Sequence, residues 1–266
     1  MRLAIQESML PGDTTLARVQ HARDLGLAGV EFEAEGLSAR VSEIVDALAQ
    51  TGLEAAAVNM GTTTLLHPEF ARREEAIVHL RQAMTNALDL GTVGVVFIPT
   101  QPDAPRLPDL HPYKSNIELE AELLVTQIRA TLSDFAYALG AELYMLPVNR
   151  YESHLIRRLE HGDAILRRND YHPHVRLAVD TFHLMMEEDD PLGALQAHAA
   201  HVRYVHLADH NRRLPGQGMT DFTTLLQILK EAQYTGWLTL ACDRRTMTPE
   251  LAQHLPASLG MLRQLL

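Results

Sequence analysis

The sequence predicts a single (β/α)₈ barrel spanning residues 1–266. Short, continuously apolar strands alternate with helical segments, the pattern of a parallel sheet covered on both faces. There are eight such units in 266 residues, close to the length at which this kind of sheet closes on itself. Polar residues collect where strands end: Asn149-Arg150-Tyr151-Glu152, Asp180-Thr181-Phe182-His183, and His206 through Arg212. In a closed barrel, the loops after the strands carry the chemistry. A doubly wound open sheet is the rival, but the turn after the first strand, Glu7 to Gly12, has one glycine rather than a glycine-rich phosphate turn.

In order, Leu3-Ala4-Ile5 is the first strand. Thr14 to Leu25 has apolar residues at helical spacing (Leu16, Val19, Ala22, Leu25), with Asp13 or Thr14 as cap and Gly26 as stop. Gly29 to Phe32 is the second strand, Ser38 to Gln50 the second helix and Leu53 to Val58 the third strand. A long helix runs from Pro68 to Leu90, and Val93 to Ile98 is the fourth strand. Pro99, Pro102, Pro105, Pro108 and Pro112 then forbid helix or central strand through 99–114. A loop of that length in a compact domain often covers a site, and a surface excursion is the alternative. Ser115 to Leu139 is helical, Ala141 to Leu146 the fifth strand, and Ser153 to Arg168 helical. Val175 to Val179 is the sixth strand, and Pro191 opens a helix to about Ala200. Val202 to Leu207 is the seventh strand, Asp221 caps a helix to Ala232, Trp237 to Leu240 is the eighth strand, and Pro249 to Leu265 closes the chain.

Composition narrows the function. Apolar residues make up 46% and aromatics 5%, so the expected core is aliphatic. A formal net charge of −11 repels phosphate backbones and argues against nucleic acid as a partner. The single cysteine, Cys242, forms no internal disulfide and fits a reducing compartment. No apolar run reaches the roughly 20 residues of a membrane helix. The N-terminus turns polar at Gln6-Glu7, too soon for a signal peptide. The expectation is a cytoplasmic protein without a membrane partner.

Asp180 ends the sixth strand, His183 follows three residues later, and His206 lies within the seventh. A carboxylate and an imidazole at neighbouring strand ends suit a divalent cation. The alternatives are that Asp180 caps a turn or the following helix and that His206 is a buried histidine bonded to a carbonyl. Cys242 reads as a core thiol. Arg244-Arg245 reads as solvated, with an anionic group as the alternative.

These stretches, with Pro215-Gly216-Gln217-Gly218 and Asp221-Phe222, resemble the xylose-isomerase-like TIM-barrel superfamily. They are most similar to its sugar isomerases and ketose 3-epimerases, the tagatose/psicose branch. The superfamily includes AP endonuclease IV, whose trinuclear zinc site and basic surface the charge argues against. The resemblance covers most of the chain and is densest over 141–243. It implies a sugar or sugar-phosphate substrate, Mn²⁺ or another divalent metal, and pairing as homodimers or homotetramers. It further implies Asp180 and His206 as metal ligands, and Glu152, His183 and Arg212 as substrate contacts. Two positions depart from the pattern. The fifth-strand glutamate, a ligand and acid/base in the family, is Leu146; the eighth-strand glutamate, with the same duties, falls at Ala241. Proton transfer beside a carbonyl needs a base and a stabiliser for the enediolate, and hydrocarbon supplies neither.

Substitute acids are few. Glu142 shares parity with Leu146 but lies about 13 Å lower on the strand. Asp243 is about 6–7 Å beyond Ala241. Asp209 sits in a loop, and Glu31 and Glu33 on the second strand are candidates to face inward. Two protein ligands hold a divalent ion weakly. The expectation is a metal site weak or vacant, and either an isomerase/epimerase with a rebuilt acid/base set or a non-catalytic carbohydrate binder.

Overall fold

The computed structural model describes residues 1–103, 106–243 and 249–266, with backbone alone for 249–252. Eight parallel strands close into a barrel in sequence order. They are β1 (Arg2–Gln6), β2 (Gly29–Glu33), β3 (Glu54–Thr62), β4 (Gly94–Ile98), β5 (Glu142–Met145), β6 (Val175–Asp180), β7 (Val202–Leu207) and β8 (Trp237–Leu240). Helices α1 (Thr15–Asp24), α2 (Val41–Thr51), α3 (Phe70–Asp89), α4 (Asn116–Gln127), α5 (Asp134–Leu139), α6 (Leu159–Arg168), α7 (Thr181–Glu187), α8 (Pro191–His198), α9 (Phe222–Glu231) and α10 (Pro249–Leu265) surround it. Among the described residues, no helix is long and apolar enough to cross a membrane.

Strand parity divides the core. Leu3, Ile5, Val30, Phe32, Phe97, Met145, Val179, Val205 and Leu240 pack outward against the helices in one large cluster. Ala4, Ala57, Val96, Tyr144, Ala178, Tyr204 and Trp237 form a second cluster with Leu146 and Val148. The second cluster departs from the aliphatic expectation, because aromatic rings concentrate there. Tyr144 and Tyr204 stack at 5.8 Å between centroids. Glycine makes room for them: a Cβ on Gly94 would lie 2.2 Å from the Tyr144 ring, and one on Gly29 2.7 Å from Trp237.

Two helical segments near the site differ most from expectation. The helix expected from Ser153 begins only at Leu159, because local bonds hold 153–158 as a turn. Ser153 Oγ accepts from the Leu155 and Ile156 amides (3.2 and 3.3 Å), and His161 Nδ1 accepts from the amides of Arg157 and Arg158 (both 3.3 Å). The second difference is α7, a short helix that starts directly at the end of β6. Between α4 and α5 the helix continues through a π-helical segment, Ile128–Ser133.

Candidate functional site

At the C-terminal mouth of the barrel lies a cavity of about 400 Å³. Every predicted site residue lines it: Leu146, Glu152, Asp180, His183, His206, Arg212 and Ala241. So do Gln6, Glu33, Asn59, Ile98, Cys242 and Asp243. Arg244 and Arg245 lie outside the described residues.

Asp180 and His206 are register partners on β6 and β7. Asp180 Oδ2 lies 3.9 Å from His206 Nδ1. The other oxygen, Oδ1, accepts from the amides of Phe182 (2.8 Å) and His183 (3.4 Å), so Asp180 caps α7. Nε2 of His206 points across the barrel to Glu31 Oε2 at 2.6 Å. Glu31 is 1% exposed, and its Oε1 accepts from Gln6 Nε2 (2.8 Å) and Asn59 Nδ2 (2.9 Å). Burial alone would push the Glu31 carboxyl up, but His206 and these donors outweigh it and hold it below the usual range. Burial likewise works against the His206 imidazolium, and Glu31 outweighs it, so the net shift is upward. The two form a buried ion pair.

His183 is buried and behaves differently. Its Nδ1 accepts from the Asn149 amide (3.2 Å) and faces Asn149 Nδ2 (2.8 Å). Two donors on one nitrogen put the proton of the neutral ring on Nε2, which faces Glu152 Oε2 at 3.9 Å. Burial lowers its pKa, and the partial opposition of Asp180 and Glu152 does not reverse that.

Glu152 and Arg212 meet across the rim, Nη1 donating to Oε1 at 3.0 Å. The Arg212 guanidinium also lies over the Phe182 ring at 4.7 Å. Its backbone sits at φ 63°, a left-handed position uncommon for arginine, at the end of a turn closed by its amide on the Asp209 carbonyl (2.8 Å). Asp209, fully buried, accepts from the amides of His210 (2.8 Å), Gly216 (3.1 Å) and Thr220 (3.1 Å). That carboxylate organises the loop and is no substitute acid.

The loop after β5 is held by buried carboxylates. Glu187 Oε2 accepts from both the amide (3.0 Å) and Nε (2.9 Å) of Arg150. Glu120, on α4 and 1% exposed, accepts from the Leu107 amide (3.0 Å) and meets His154 Nε2 at 2.5 Å. It thereby ties the proline-rich segment after β4 to the loop that presents Glu152. Pro105 lies outside the described residues.

The donor set does not fit the metal that the family resemblance implies. Leu146 and Ala241 bring hydrocarbon, Nε2 of His206 is committed to Glu31, and one Asp180 oxygen is committed to a helix cap. Among the described residues, no group of three or more His, Cys, Asp or Glu is placed to hold a metal ion. Cys242 is buried, and burial pushes its thiol well up, which fits an inert core thiol.

Sequence reading passed over Gln6 and Asn59 and weighed Glu31 only as a remote substitute. Its signal was strand parity: Gln6 is two residues past the interior Ala4, and Glu31 is the register partner of Gln6.

Comparison with known proteins agrees with the fold. Residues 19–265 match the family model described as xylose isomerase-like TIM barrel. Over 266 residues the chain is 25% identical to 3-dehydro-D-guloside 4-epimerase of Escherichia coli K12, covering 99% of each. A segment of 101 residues, 38% of this chain and 34% of the relative, is 30% identical to D-psicose 3-epimerase of Ruminiclostridium cellulolyticum. Among solved structures, apo 3-keto-D-glucoside 4-epimerase from E. coli superposes with a TM-score of 0.87 at 25% identity, covering 99% of both chains. D-Psicose 3-epimerase with D-tagatose from Clostridium cellulolyticum H10 shares the fold at TM-score 0.85 and 18% identity, covering 100% of this chain and 99% of that one. The chain belongs to the xylose isomerase-like TIM barrel family.

Proposed function

We propose that the chain works as one domain and is a sugar epimerase-like protein that binds a neutral ketose or keto-glycoside but has lost proton transfer through the family's carboxylate pair. The sugar reading draws on the two E. coli 4-epimerases and the ketose 3-epimerases that the chain resembles. The observation that carries the rest is that Leu146 and Ala241 line the same cavity as Asp180 and His206. A base must stand within hydrogen-bond reach of the proton it takes, and those two side chains have none to offer. The charge of the cavity favours a neutral ligand over a sugar phosphate. Glu33, Glu152, Asp180 and Asp243 line it, and among the described lining residues the one arginine, Arg212, is already paired with Glu152.

The test combines binding and exchange. Protein purified without chelator is assayed for bound metal, for D-fructose, D-tagatose and D-psicose binding by calorimetry, and for deuterium wash-in at the α-carbon in D₂O. The expected result is sugar binding with neither stoichiometric metal nor exchange. Rapid exchange in the wild type would overturn the loss of proton transfer. It would favour a second reading, an epimerase with a rebuilt acid/base set, for which the 3.9 Å approach of His183 Nε2 to Glu152 is the supporting contact.

A further inference from the structure

The mouth of the barrel is divided into sectors. Asn59 and Glu33, from β3 and β2, supply an amide and a carboxylate; Asp180, His183 and His206, on the β6–β7 side, supply a carboxylate and two imidazoles. Between these stands a sector of hydrocarbon. Ile98 ends β4, and Leu146 directly follows β5. The Leu146 amide donates to the Phe97 carbonyl at 2.9 Å, so Leu146 continues the pairing of β5 with β4. Leu146 belongs to a packed cluster that reaches down through Val96 and Tyr144 to Tyr204 and Trp237, and the half-buried Ile98 packs against it. Both also line the cavity. The apolar filling of the barrel therefore rises into the floor of the site on this side.

A ligand in the cavity meets that sector with some part of itself. Neither Leu146 nor Ile98 donates or accepts a hydrogen bond through its side chain. A hydroxyl turned toward them gives up water and gains no partner, which is unfavourable, whereas a methyl group gains by leaving water. We propose that Ile98 and Leu146 form a specificity wall that selects a deoxy sugar, with the deoxygenated carbon seated against them. The inference rests on the sugar-binding reading above and adds to it the class of sugar preferred.

Matched probes test it: D-fructose, 1-deoxy-D-fructose and 6-deoxy-D-fructose, titrated calorimetrically into the wild type, Ile98→Thr and Leu146→Asn. Burying one additional methyl is worth about fourfold in affinity, and sparing a hydroxyl an unpartnered burial raises the expected preference to about tenfold. One of the two deoxy sugars is expected to bind about tenfold more tightly than D-fructose. The preference is expected to shrink to within about twofold in Ile98→Thr, whose half-buried site keeps the fold safe if Leu146→Asn fails to fold. Equal or tighter binding of D-fructose by the wild type overturns the wall while leaving the sugar-binding reading intact. An undiminished preference in Ile98→Thr and in folded Leu146→Asn also overturns it. Binding of none of the three overturns both.

Discussion

Four adjacent strands, β5 to β8, reach the mouth of this barrel in two different states. The inner pair, β6 and β7, deliver Asp180 and His206; the outer pair, β5 and β8, are followed by Leu146 and Ala241. The polar groups that persist are those with a duty in the fold. Asp180 caps α7 with one oxygen, and His206 closes a buried ion pair with Glu31. Leu146 instead extends a hydrocarbon cluster. Removing a carboxylate that only a metal or substrate would satisfy relieves a desolvation cost, whereas removing one that caps a helix leaves donors unpaired. The presence of Asp180 and His206 is therefore explained without catalysis, and the proposed loss of proton transfer rests on the outer pair.

Restoring the outer pair gives the largest expected effect. In Leu146→Glu/Ala241→Glu, all four of the ligand positions implied by the family resemblance carry donors, and Mn²⁺ occupancy should rise from background to about one ion per chain, read by elemental analysis. Without metal the double variant should lose roughly 2–4 kcal/mol of stability to buried like charge, regained on adding Mn²⁺. Deuterium wash-in from D₂O should appear only in the double variant. Stoichiometric Mn²⁺ in the wild type would break the comparison.

Next in size is Glu31→Gln. Removing one member of a buried pair costs about 3 kcal/mol, measured by denaturant unfolding. The sign with pH follows from the shifts. His206 is raised above its ordinary 6.5, so its contribution is full below that value and is lost as pH rises through the higher folded value. Glu31 is lowered below 4.5, so its contribution is present above that value and is lost as pH falls through the lower folded value. The stability difference between wild type and variant should therefore be greatest between those limits and shrink as pH rises through the folded value of His206. A difference that does not vary with pH would show that the two groups are not ionised together.

Smaller again is Glu120→Ala, which frees the Leu107 amide and His154 at once. An unpaired buried donor costs about 1–3 kcal/mol. Cleavage by trypsin after Lys114 should accelerate, and Glu120→Gln, which still accepts from Leu107, should largely restore resistance. Unchanged cleavage in Glu120→Ala would show that the tie does not hold the segment.

Much of this was legible in the sequence, for identifiable reasons. Alternating apolar runs and helix stops mark the eight units because parity and capping are local. The mouth residues followed because Leu146, Asp180 and His206 lie at or just past strand ends. Glu31 was harder: its partner is 175 positions away, and nothing local says that side chains of two strands that are not neighbours in the barrel meet. The turn at 153–158 was missed because Leu155, Ile156 and Leu159 have helical spacing, while Ser153 and His161 take the amides that a helix would have used. The aromatic second cluster was missed because a mean of 5% aromatics says nothing of where they gather.

The smallest effect separates the proposed sugar grip from the scaffold. Glu152 and Arg212 are each about one-third exposed or less, with side-chain values of 29% and 33%. An ion pair so placed contributes little to folding, typically below about 1 kcal/mol. Glu152→Gln should therefore leave the melting temperature within a few degrees of wild type. A ligand hydroxyl that donates to the carboxylate would lose a charge-assisted bond, so ketose affinity should fall about tenfold. The same loss in the Leu146→Glu/Ala241→Glu background would show that the grip acts independently of the outer carboxylates. If Glu152→Gln lowers stability and leaves sugar affinity untouched, the rim pair is a strut rather than a grip, and the ligand is held by the β6–β7 side alone.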